Sequence, residues 1–118
     1  MARLTSEFFV SALLRTMFDA GDFGAVLKKG APEAGAVFIV FAQRSGPQTL
    51  YGPAPQALML DDETADRTNP DRSFEVLIDG SDREAIDDRL AREQRYDDDI
   101  WIVELEGVDL PNSVHIAK

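Results

Sequence analysis

Between Gly35 and Gln43 the chain reads GAVFIVFAQ, with Phe38 and Val40 on one parity and Val37, Ile39 and Phe41 on the other. Strand side chains alternate between two faces. This segment is therefore apolar on both, and it predicts a central strand with cover above and below. The requirement bears hard on a chain of 118 residues, which is long enough for one domain and one core, and too short for two.

The rest of the chain supplies the cover. Residues 6–20 predict a helix: Val10, Leu13, Leu14 and Met17 recur at helical spacing, Phe9 and Phe18 flank them, Ser6 offers an N-cap and Gly21 a stop. Its polar remainder is thin, with Arg15 on that side. Residues 24–29 read as a strand joined to 35–43 through Gly30-Ala31-Pro32-Glu33, and Gln48 to Tyr51 as a third strand of a meander. Residues 56–60 are a short apolar segment of open type, and 61–72 a polar loop. Residues 73–79 alternate Phe74, Val76 and Ile78 against Ser73, Glu75 and Asp79, with Leu77 out of pattern. Ser81-Asp82-Arg83-Glu84 has the form of a capping box for a helix over 82–95, striped by Ile86 and Leu90. Residues 100–105 form the last strand, with Trp101, Val103 and Leu105 on its core side, and 107–118 read as a loosely attached tail. The expected fold is α+β: a small antiparallel or mixed sheet of about five strands, one pair of which could be parallel across the strand–helix–strand unit, with two packed helices. If both helices take one face, Val37, Ile39 and Phe41 are left bare and a homodimer or a stable partner must cover them.

Several chemistries are excluded by composition. There is no cysteine, so disulfides, thiolate metal sites and thiol nucleophiles are absent. The single histidine, His115, leaves no basis for a multi-histidine metal site or a serine triad and reads as an exposed tail residue. An isoelectric point near 4.4 argues against a nucleic-acid partner, whose phosphates require basic contacts. The first apolar run, Phe8 to Leu14, is broken by Ser11. It is too short for a secretory signal or a membrane span, and the expected location is the cytoplasm with no membrane contact. There is no glycine-rich phosphate loop, and Lys28-Lys29-Gly30 reads as a solvated strand end. No metal or cofactor is expected: Asp61-Asp62-Glu63 and Asp97-Asp98-Asp99 lack the ligand spacing of a calcium loop.

Charge is the remaining signal. Residues 61–106 hold seventeen acids against six arginines, whereas residues 1–60 are nearly neutral. Asp97, Asp98, Asp99, Glu104 and Glu106 could form one negative surface for a basic protein partner, with Tyr51 as an aromatic contact beside Gly52-Pro53. Glu93 falls where the Leu90 stripe would continue. It reads as a structural acid at the helix–sheet boundary, paired with Arg15, Arg92 or Arg95, or with Arg89 beside it.

Four segments, SEFFVSALLR, KKGAPEAGAVFI, LYGPAPQ and REQRYDDDIWIVELE, together span most of the chain. In that order they resemble a family of small alphaproteobacterial proteins, domain of unknown function 1491. The resemblance implies a bacterial cytoplasmic protein without a signal peptide, and it carries over no activity, cofactor or catalytic residue. The function expected from the residues is a non-enzymatic protein-interaction module. The alternative is a small enzyme using carboxylate acid–base chemistry in a cleft near Glu93.

Overall fold

Thr5 starts the first helix by accepting a hydrogen bond on its side chain from the Phe8 amide. The N-cap is thus one residue earlier than Ser6, whose hydroxyl is buried and donates instead to the Gly35 carbonyl at 2.5 Å. The computed structural model describes residues 5–44, 46–54, 73–111 and 114–116. Helix α1 (Ser6–Asp19) leads into β1 (Phe23–Lys28), β2 (Val37–Gln43), β3 (Gln48–Pro53) and β4 (Ser73–Ser81). Helix α2 (Arg83–Tyr96), β5 (Trp101–Gly107) and the short β6 (His115–Ile116) follow. The segment 56–60, the loop 61–72 and the Asp61-Asp62-Glu63 cluster lie outside the described residues.

The sheet is mixed and six-stranded, ordered β1-β5-β2-β3-β4-β6. Two connections differ from the expected meander. β1 and β2 do not pair: β5 lies between them, antiparallel to β1 and parallel to β2, with Val37 beside Trp101 and Phe41 beside Leu105. The β4–α2–β5 unit is a crossover, but β2 and β3 separate its strands. The hydrophobic pattern specifies which face a strand buries and says little about its neighbour.

The two helices take opposite faces. Under α1, Phe9, Val10, Leu13 and Met17 pack with Val37, Ile39, Phe41, Trp101, Val103 and Leu105. On the other face Ile86 and Leu90 of α2 pack with Phe38, Val40, Leu50, Ile100 and Ile102. Both parities of β2 are covered within one chain, so the expected bare face at Val37, Ile39 and Phe41 is absent. Leu77 also finds its reason. The β3–β4 register shifts next to Leu50 and Tyr51, and both Leu77 and Ile78 then pack on the α2 side while Phe74 stays on the α1 side, stacked on Phe9 with ring centroids 5.9 Å apart.

The tail is part of the core rather than loosely attached. Val114 is buried on the α1 side, Leu110 and Ile116 pack against that cluster, and β6 adds parallel to β4, placing His115, which is exposed, beside Ser73.

Candidate interaction surface

Helix α2 begins at Asp82, which accepts from the Ala85 amide, so the capping residue is Asp82 and not Ser81. The next residue, Arg83, ties this helix end to the sheet. Its Nε donates to Asp87 Oδ1 at 2.9 Å, and Nη1 donates to Glu104 Oε2 at 3.1 Å and to Gln48 Oε1 at 3.5 Å. The hydrogen bond that it donates to Asp87 raises the arginine's pKa above its ordinary value; burial opposes this, and Glu104 adds to it. Glu104 stands on β5 between Val40 and Ala25, on the face that α2 shares, and Glu106 follows two residues along on the same face. Helix α2 lies over β3 and β4, which leaves this strip of β5 open, with Glu106 exposed. Asp87, exposed on the helix, shares Arg83 with Glu104, and Asp82 and Glu84 of the same helix end are also exposed. Two acids, Asp87 of α2 and Glu104 of β5, thus hold the Arg83 guanidinium.

The sequence-predicted acids do not form one surface. Glu104 is at the middle of β5 and Glu106 near its far end from Asp97, Asp98 and Asp99, which precede its first residue. The aspartate triplet is a built turn. Asp97 Oδ1 accepts from the Asp99 amide, the Asp99 carbonyl accepts from the Ala31 amide, and Lys28 Nζ donates to the carbonyls of Asp98 and Ile100 at 2.6 and 3.2 Å. A Cβ on Gly30 or Gly35 would strike the Asp99 carbonyl oxygen, so that 30–35 loop closes on the turn only because both positions are glycine. Trp101 Nε1 donates to the Ala31 carbonyl at 2.8 Å from the other side of the same loop. Lys28, read from sequence as a solvated edge residue, is thereby a capping group for carbonyls about seventy residues away.

Tyr51 does not join the acids either. It pairs with Ile39 and packs partly into the α1-side core, on the opposite face of the sheet from Glu104. Burial, and secondly the Asp79 carboxylate, raise its pKa above 10.0. Glu93 pairs with Arg89, one turn earlier on α2, at 2.9 Å. Arg15 is across the sheet on α1, and Arg92 and Arg95 are exposed, so the partner is Arg89 and the pair is half-buried rather than enclosed.

The residue that organises the surface, Arg83, was not singled out from sequence. Its signal lay in its position: the first residue after a helix cap, flanked by two acids, points inward to the sheet only if a strand acid is there to receive it. Among the described residues no three acids or histidines converge as a metal site, and no helix is long and apolar enough to cross a membrane.

The family described as "Protein of unknown function (DUF1491)" matches residues 4–115. The chain is similar to protein Atu0922 from A. tumefaciens, known from a solution structure, with 45% identity over 99% of this chain and 97% of that one and a TM-score of 0.82. It is also similar to a DUF1491 family protein from Caulobacter crescentus CB15. The crystal structure of that protein shows 25% identity over 99% of this chain and 100% of that one, at a TM-score of 0.76. Its NMR structure gives 26% identity over the whole of both chains at the same TM-score. No curated protein matches the chain. Matched along nearly its full length by the family, and by the solved structures in fold, the chain belongs to the DUF1491 family.

Proposed function

We propose that this protein is a non-enzymatic interaction module that uses its acidic end to hold a basic protein surface. The observation carrying the reading is the Arg83 guanidinium held by Asp87 of α2 and half-buried Glu104 of β5, with Glu106 exposed two residues along the same strand. Arg83 fixes two of these acids in place. Asp82 caps the helix through the Ala85 amide, and Glu84 and Glu106 are exposed and available to an incoming lysine or arginine. Asp97, Asp98 and Asp99 are committed to the turn through backbone groups, so in this reading they support the fold and stand apart from the partner surface.

The test uses the immobilised full chain and a soluble bacterial extract. A basic protein should be retained at low salt and released as salt rises from about 0.1 to 1 M, where the screening length falls from about 10 to about 3 Å. The double variant E84K/E106K, with an unchanged circular dichroism spectrum, should retain none of it. Retention that is indifferent to salt or to this variant, or no retained protein at all, overturns the reading.

A further inference from the structure

On the α2 side of the sheet, register places the side chains of the outer strands in a small grid. Phe23 of β1 stands opposite Glu106 of β5, and Ala25 opposite Glu104. On the other edge of β5, Glu106 adjoins Ala42 and Glu104 adjoins Val40. Paired residues share a face, and Val40 fixes this one as the face that packs with α2. Phe23 is 52% exposed and Glu106 is exposed, whereas Ala25, Ala42 and Glu104 are half-buried.

The grid already holds one guanidinium. Arg83 donates to Glu104 Oε2 at 3.1 Å and to Gln48 Oε1 at 3.5 Å. Glu106 lies two residues farther along β5 on the same face, about 7 Å away, and makes no ion pair among the described residues. Arg44, at this end of the sheet, donates to Asp22, whose carboxylate lies against Gly107 on the opposite parity of β5. That cation is therefore already taken, on the other face.

We infer that Phe23 and Glu106 form a second guanidinium seat, filled by an arginine of the protein partner. The inference rests on the interaction-module reading and specifies which side chain the partner must bring. Opposed residues have Cβ atoms about 4.5–5.5 Å apart, so the ring and the carboxylate can meet one planar cation together. Glu106 accepts its N–H groups in charge-assisted hydrogen bonds, while Phe23 offers a ring face. The neighbours of the pair on this face, Ala25 and Ala42, are too short to fill the space above it. Lysine satisfies only half of this arrangement. Its compact, strongly hydrated ammonium pairs with Glu106 but does not stack, whereas guanidinium is planar and more weakly hydrated.

The test uses two peptides of equal length and charge, one with four arginines and one with four lysines between glycine–serine spacers. Each is titrated at low salt into the isotope-labelled full chain and followed by nuclear magnetic resonance. The arginine peptide should shift the Phe23 and Glu106 amides and bind about two- to fivefold more tightly than the lysine peptide, the worth of an exposed cation–π contact. Phe23→Leu, which keeps an apolar side chain without the ring, should bring the two affinities together. Phe23→Tyr should preserve the preference, and Glu106→Gln should weaken both peptides. Equal affinities in the wild type, a preference that survives Phe23→Leu, or shifts centred away from this pair would overturn the seat. If Glu106→Gln nevertheless weakens both peptides, the acidic surface stands and only the arginine seat is lost. If it weakens neither, the interaction reading falls with the seat.

Discussion

The two faces of the sheet are held by different means. On the α1 side the packing is almost wholly apolar: Phe9, Leu13 and Met17 against Ile39, Val103 and Leu105, closed at the far edge by Phe74 and Val114. On the α2 side Ile86 and Leu90 meet a smaller apolar cluster, and polar groups complete the contact through Arg83 to Glu104 and Gln48. Helix α2 has only these two buried side chains among the described residues, so its position depends on Arg83 more than that of α1 depends on any one polar bond. A fully apolar face is fixed by area and shape and tolerates no water. A face finished with an ion network keeps an open, charged margin where another molecule can approach.

Phe74→Ala is the strongest way to break this contrast. It removes the ring stacked on Phe9 and should cost about 3–5 kcal/mol in chemical denaturation. Arg83→Met should cost about 1 kcal/mol or less, because its partners are partly solvated and screened, and Glu93→Gln less still, as befits a half-buried pair within one helix. If Arg83→Met proved as damaging as Phe74→Ala, the α2 side would be carried by its polar network and the contrast would fail. The smallest effect is at alkaline pH. The raised pKa of Tyr51 means that the folded chain favours the neutral phenol. Its contribution is complete below 10.0 and is lost as pH rises through the raised value. Tyr51→Phe should therefore lose stability more slowly than the wild type above pH 10; equal slopes would show that Tyr51 ionises as freely folded as unfolded.

The apolar side was the legible one. The double parity of Val37 to Phe41, the stripe from Val10 to Met17 and the alternation of Trp101, Val103 and Leu105 are period signals, and each names its own buried face. What stayed hidden depended on neighbours. Leu77 is apolar for a register shift made with β3, Val114 for a tail that returns to β4, and Lys28 for carbonyls at the start of β5. The acids were misleading for the same reason: the charge of residues 61–106 is contiguous in sequence, but Asp99 precedes β5 and Glu106 stands near its other end. Charge has no period, so a run of it does not specify a direction.

The place of β5 between β1 and β2 has a consequence for how the protein is made. β1 and β2 leave the ribosome early, at about 5–20 residues per second, yet β1 has no sheet neighbour, and β2 lacks one of its two, until Trp101 and the residues after it have been synthesised. Until then the most apolar strand of the chain has one backbone edge unfilled, with only β3 on the other side. A nascent chain stopped short of β5 cannot close the sheet, and it presents to other chains the slot it is keeping for itself. Closure of the sheet is therefore expected to be slow for its size, since its central pairing joins residues far apart in sequence. The β5 slot is a site of aggregation only in the interval before β5 inserts.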